Sequence, residues 1–406
     1  MKKEILICDD NPRDAEMWSE SIKAHCLGDF EVKIAKQAAF FDAVTQLEAR
    51  RGLARRRGGG AIKWGDCAFD EADIIVVDYD LLKLDTRGYL TGEDVAYLCR
   101  CYSRCGLIVG LNQYGTNYFD LTLRGHPESY CDLNIGSDQL ECPGLWSETW
   151  TGKRLEFRPW YWPLLPEAHA AFLRRTRQVL ANLDAIILAY LDFDEQTMAT
   201  LPRSTREFLF PGKSPEKTTF ASFVSGSGNG LRPKDRQADQ EAVARIASAR
   251  IWKWLERLVL AGQDILVDAP HLASRYPSLL RGNPLKLGSW DGTTSLLRGH
   301  VGLKPDAVRE FRFKKSDWLS RPVWFWKRLS ASEKIREVLD PLSKEEPGFV
   351  FCEDVSRFLR RDVALEFVAD VPSPFVRRFV VDPRSRAAKA FKGRAAQYEP
   401  AVRFAF

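Results

Sequence analysis

The 406-residue sequence predicts an α/β domain built on a parallel sheet in its N-terminal third, followed by an α+β region. Three observations carry that prediction. Short apolar runs alternate with segments of helical periodicity up to about residue 140. Two of those runs end in clustered acids. Beyond residue 146 the alternation gives way to longer helical stretches and then to short strand-like segments.

The elements follow in order. Residues 4–10 (EILICDD) are an apolar run closed by two acids, as expected of a buried strand with a polar carboxyl end. Residues 14–26 carry Ala15, Trp18, Ile22 and Cys26 near helical spacing; residues 30–35 alternate apolar and charged; residues 37–48 are helical again. A βαβα opening implies a parallel sheet with helices on its faces. The basic, glycine-rich stretch 50–60 (RRGLARRRGGG) and the aperiodic 61–71 read as an inserted loop. Residues 73–80 (DIIVVDYD) are the clearest buried strand, with four consecutive β-branched residues before the acids. Residues 91–103 then read as helix, 106–111 as strand, and 130–135 (YCDLNI) as a fifth strand. Further on, 167–191 and 239–261 read as helices, the second amphipathic through Ile246, Ile251, Trp254, Leu255 and Leu258. The Gly, Ser, Pro and Lys-rich stretch 202–235 reads as loop or linker. Residues 349–351, 363–368 and 375–381 suggest strands of a small terminal sheet. The divisions expected are 1–145, a helical and linker region 146–236, and a basic α+β region 237–406.

Composition narrows the class. With 45% hydrophobic and 28% charged residues the chain can bury a core, which argues against a disordered or fibrous protein. No apolar run approaches the roughly 18 residues of a membrane helix. The N-terminus lacks the pattern of a signal peptide. A cytoplasmic protein with no membrane partner is expected. The nine cysteines are odd in number and lack paired C-x2-C spacing, so they read as buried free thiols. Charge is divided: residues 1–150 carry 17 Lys and Arg against 25 Asp and Glu, and residues 151–406 carry 43 against 30. A basic C-terminal part implies an anionic partner. Nucleic acid is one candidate, and the acidic N-terminal part is another.

The acids give the sharpest chemistry. Asp9 and Asp10 close the first expected strand and Asp78 closes the third. In an open α/β sheet, ligands bind beyond the carboxyl ends of the strands. Converging carboxylates repel, and a hard divalent cation such as Mg2+, which takes oxygen ligands, relieves that repulsion. Asp78 would then be placed as a nucleophile able to form an aspartyl phosphate.

The segments ILICDDNP and DIIVVDYDLL, in that strand order, resemble the receiver domain of bacterial response regulators over about residues 1–140. The resemblance implies a flavodoxin-like sheet, Asp9 and Asp10 as Mg2+ ligands, Asp78 as phosphoacceptor and a histidine kinase as donor. The sequence departs from the receiver pattern twice. Where a receiver has Ser or Thr at the end of strand 4, GLIVGLNQ has Asn112, with Thr116 close by, so these two are the switch candidates. Where a receiver has a lysine after strand 5, YCDLNIGSD has none. Two further readings therefore stand beside phosphoryl acceptance: a degenerate receiver serving as scaffold in a larger complex, and a nucleic-acid-binding effector.

Other constellations are weaker. Arg55, Arg56 and Arg57, with Arg50 and Arg51, could contact nucleic-acid phosphates or form a solvated loop. The run GSGNG at 226–230 lacks the Gly-Lys-Ser/Thr of a phosphate loop and reads as linker. Asp268 and His271 could make a base or a metal site, but a helix cap at Asp268 is simpler. Ten of the twelve tryptophans lie at or after Trp146, several beside Arg or Lys. That arrangement suits base stacking, and more simply a core or partner interface.

Overall fold

A computed structural model of the chain describes residues 2–26, 30–56, 65–81, 90–112, 118–119, 129–136, 140–147, 163–209, 215–225, 239–294, 302–336, 348–368, 377–390 and 397–398. The N-terminal part holds the five expected strands: β1 (Lys3–Cys8), β2 (Phe30–Ile34), β3 (Ile74–Asp78), β4 (Leu107–Asn112) and β5 (Leu133–Gly136). They form one all-parallel sheet in the order β2-β1-β3-β4-β5. Cys8 pairs with Val77, and Asp78 pairs with Leu111. The acids that follow β1 and end β3 therefore leave the same edge of the sheet.

Helices α1 (Pro12–His25), α2 (Gln37–Arg56) and α3 (Gly92–Tyr102) belong to this part, and α4 (Leu165–Leu180) and α5 (Gln240–Trp254) come from further along the chain. Side chains alternate between the two faces of the sheet. Ile5, Ile7, Ile74, Val76, Leu107 and Val109 pack with Ala15, Trp18 and Ile22 of α1 and Ala168 of α4. Leu6, Cys8, Ile75, Val77 and Ile108 pack the other way, with Phe40 and Leu47 of α2 and Val95 and Leu98 of α3. Burial on both faces explains why β1, β3 and β4 read as apolar runs, whereas the edge strand β2 alternates. Each such aliphatic side chain contributes about 1.5–3 kcal/mol when fully buried.

Helix α5 shares the second of these cores through Val243, Ile246, Ile251 and Trp254, and Trp252 reaches the first. It continues as a π-helical turn, Leu255–Val259. It is buried along nearly its whole length, without the solvent-facing polar side of the amphipathic helix expected over 239–261. Beyond it, β6 (Leu266–Asp268) pairs antiparallel with β7 (Val323–Phe325). The terminal sheet is mixed. Its strands β8 (Phe349–Cys352), β9 (Arg357–Arg360), β10 (Ala364–Phe367) and β11 (Arg378–Val381) lie in the order β9-β8-β11-β10.

Three expectations are corrected. Residues 50–56 are the end of α2, not a loop. The reason is Arg50, whose guanidinium donates to both carboxylate oxygens of Asp70 at 2.9 and 2.6 Å and to the Tyr102 carbonyl at 2.9 Å. The helix expected over 167–191 stops at Leu180, where the Asn182 amide turns back to the Gln178 carbonyl at 2.8 Å. Within 202–235, the short helix Phe220–Ser225 buries Phe220, Phe223 and Val224. The cysteines are free thiols, all buried except the partly buried Cys26. Among the described residues no helix is long and apolar enough to cross a membrane.

The start of α3 fixes the wall of the acidic edge. Thr91 and Asp94 form a reciprocal capping box. A Cβ at Gly92 would lie 2.2 Å from the Asp78 carbonyl oxygen, so only glycine permits this approach of α3 to β3. Gly92→Ala is expected to cost about 1–3 kcal/mol through overpacking, read as a lower thermal midpoint. An unchanged midpoint would contradict the close approach.

Candidate functional site

The turn after β1 is built by the sequence Asp9-Asp10-Asn11-Pro12. Asn11 caps α1, its side-chain oxygen accepting the Arg13 N–H at 3.2 Å, and Pro12 opens the helix where no N–H is needed. The Asn11 N–H in turn donates to Asp9 Oδ1 at 2.5 Å, which orients that carboxylate. At the end of β3 the Asp80 N–H donates to Asp78 Oδ2 at 3.3 Å.

These turns bring the three sequence-predicted acids together. One carboxylate oxygen from each of Asp9, Asp10 and Asp78 lies within 4.8 Å of the other two. Asp9 and Asp78 are 9% and 6% exposed, and Asp10 is half-buried. Burial, followed by the neighbouring charge of Asp9, pushes the Asp78 carboxyl up to about 7, against the pull of backbone N–H groups at Tyr79 and Asp80. Among the described residues no other set of three His, Cys, Asp or Glu side chains meets this spacing. An all-oxygen donor set fits a hard cation such as Mg2+, whose charge would restore the ionised form of Asp78.

The remaining candidates divide. Asn112 ends β4 at the same sheet edge, pairing with Gly136 in the backbone register. Its side chain and the whole of Thr116 lie outside the described residues. The backbones of Arg55 and Arg56 close α2, while their side chains and Arg57 lie outside the described residues, as do the 226–230 run and Trp160 and Trp162. Trp252, Trp254, Trp324 and Trp326 are buried core residues.

Asp268 caps helix α6 (Ala269–Arg275), as the simpler reading expected. It also belongs to a buried charge network. The two ring nitrogens of His271 meet Asp268 Oδ1 at 2.7 Å and Glu353 Oε1 at 2.8 Å. Arg378 donates to the same Glu353 oxygen at 3.0 Å. Burial alone would lower the imidazole, but the two carboxylates raise it to about 9. Below about pH 9 the ring is held as a cation that donates at both nitrogens, which leaves no lone pair for a base or a metal.

Sequence reasoning missed a second cluster, where α5 grips the segment leading into β5. The Arg250 guanidinium stacks 4.8 Å from the Tyr130 ring centroid. Lys253 Nζ donates to the Ser129 carbonyl at 2.6 Å. Arg257 donates to Asn134 Oδ1 and to the Asp132 carbonyl, each at 3.0 Å. The three- and four-residue spacing of these cations was visible. Their partners, 123–125 residues earlier for Lys253 and Arg257, were not.

Two stability measurements follow. An Asp78 carboxyl raised to about 7 destabilises the fold only once ionised. The cost is therefore absent below the ordinary value of 3.8, grows as pH rises, and is complete above about 7. Asp78→Asn in metal-free buffer should gain little at pH 4 and on the order of 2–4 kcal/mol at pH 8; a gain independent of pH would contradict the assignment. For His271, raised from 6.5 to about 9, stabilisation is complete below 6.5 and lost as pH climbs through 9. His271→Gln should cost on the order of 3 kcal/mol at pH 6, and the difference should narrow above pH 9.

Comparison of the chain with protein-family models, curated proteins and solved structures finds no match.

Proposed function

We propose that this chain is an atypical receiver-like signalling protein that accepts a phosphoryl group on Asp78, with Mg2+ held by Asp9, Asp10 and Asp78. The observation that carries the proposal is the convergence of three carboxylates at the carboxyl edge of a parallel sheet. The order β2-β1-β3-β4-β5 supports a flavodoxin-like assignment, in which ligands lie at this edge beside the first strand. Bound Mg2+ would supply neutralisation of charge on the phosphoryl oxygens. An Asp78 oxygen attacks the phosphorus of a phosphohistidine or acyl phosphate donor. The donor's bond to phosphorus breaks, its electron pair leaves with the donor, and an aspartyl phosphate remains. The partner implied is a histidine kinase, and the output lies in the C-terminal part that α5 begins.

Two observations favour a second reading, a degenerate receiver that docks without turning over phosphate. Strand β5 reads Leu-Asn-Ile-Gly and carries no lysine, and Asn112 stands where a receiver has a hydroxyl. Nucleic acid gains less support. Arg175, Arg245, Arg250, Arg257 and Arg378 are all buried, so these five cations are not displayed to a phosphate backbone.

Intact-mass analysis after incubation with acetyl phosphate and MgCl2 separates the readings. A single phosphoryl adduct on the wild type, absent from Asp78→Ala, is expected. A folded wild type that takes no adduct would favour the docking reading.

A further inference from the structure

The acid cluster and helix α5 are joined by a continuous run of polar contacts. At the site end, the Asp80 N–H donates to Asp78 Oδ2, and Asp80 bridges antiparallel to Thr91. The Gly92 N–H donates to the Tyr79 carbonyl at 2.9 Å, while Gly92 abuts the Asp78 carbonyl with no room for a Cβ. The next residue, Glu93, leaves the first turn of α3 with its carboxylate accepting the Ser129 hydroxyl at 2.8 Å and the Tyr130 N–H. The Ser129 carbonyl then accepts Lys253 Nζ. Arg250 on the Tyr130 ring and Arg257 on Asp132 and Asn134 hold the same segment on either side.

These contacts are costly to break. Lys253 is 3% exposed; burial and then the Arg257 charge lower its ammonium to about 7, and Glu93 is the first of the acids that oppose that shift. Buried donors and acceptors left unmade forfeit their full desolvation cost, so these contacts tie the turn after β3, the start of α3, residues 129–130 and α5 together. We infer that Glu93 and Lys253 are positioning residues that transmit the state of the acid cluster to helix α5. The inference rests on the proposed reading of that cluster as a cation and phosphoryl site. A change of charge at Asp78 shifts its bond to the Asp80 N–H. The shift passes through Tyr79 and Gly92 to Glu93, and from there through Ser129 to Lys253.

Hydrogen–deuterium exchange of the full chain tests this, following peptides over 240–257 and, as a local reference, 92–102. The probes are MgCl2 alone and, independently of any ligand, the charge-removing variant Asp78→Asn. In the wild-type background either perturbation is expected to change exchange over 240–257 by about fivefold or more, the low end of allosteric coupling. In Glu93→Ala and in Lys253→Met that change is expected to disappear while 92–102 still responds. Glu93→Gln, which keeps the acceptor, should retain it. The inference is overturned if 92–102 responds and 240–257 does not, if neither region responds, or if the response over 240–257 survives both variants. If MgCl2 has no effect but Asp78→Asn alters 240–257 through Glu93, the relay stands and the cation reading falls.

Discussion

The structure depends on electrostatic repulsion that the backbone will not let the chain avoid. Strands β1 and β3 are hydrogen-bonded neighbours in parallel register, and the β3 side chains from Ile74 to Val77 are fully buried. The paired ends of these strands hold the turn carrying Asp9 and Asp10 beside Asp78. Backbone N–H groups at Asn11 and Asp80 stabilise Asp9 and Asp78 only in part. Three kinds of relief remain: a proton on Asp78, a cation among the oxygens, or covalent modification of the carboxylate. The upward displacement of the Asp78 carboxyl expresses the first, and the proposed chemistry uses the other two.

Several cations of the C-terminal part are buried inside the fold against rings and backbone carbonyls. Arg175 stacks 4.8 Å from the Trp252 ring, Arg250 covers Tyr130, and Arg257 and Lys253 satisfy carbonyls of the segment entering β5. Asp132 in that segment takes Arg100 of α3 at 2.5 Å and the Ile108 N–H at 2.7 Å. Removing one partner from such a buried set is strongly destabilising, whereas the intact set contributes mainly to specificity of packing. Helices α4 and α5 therefore complete the cores on the two faces of the sheet, and residues past 145 and 236 are part of the environment of the acid cluster's sheet.

The central strands were legible in the sequence because burial on both faces leaves them almost wholly apolar. EILIC and DIIVV announce themselves, and the acids after them mark the carboxyl edge. The Asn-Pro start of α1 and the Thr91–Asp94 cap of α3 were equally local signals. Legibility failed where polar residues face inward. Arg50 looked like the first residue of a solvated basic loop, but Asp70 and the Tyr102 carbonyl draw it into the core side of α2. Nothing local marked the cations of α5 as buried, although Ser129, Asp132 and Asn134 lie against them. Asp268 was readable as a cap, but the second carboxylate on His271 comes from Glu353, 82 residues later. Periodicity reports which residues avoid water, not which buried charges have found each other across the fold.

The central claim is that Asp9, Asp10 and Asp78 form a divalent-cation site whose occupation requires Asp78 to lose its proton. Calorimetric titration of Mg2+ at pH 6.5, in two buffers of different ionisation enthalpy, measures both the binding and the protons released. The account predicts one site that releases a substantial fraction of a proton at pH 6.5 and almost none at pH 9, with binding lost in Asp78→Asn. Absence of binding, or binding that releases no proton and survives Asp78→Asn, would contradict it.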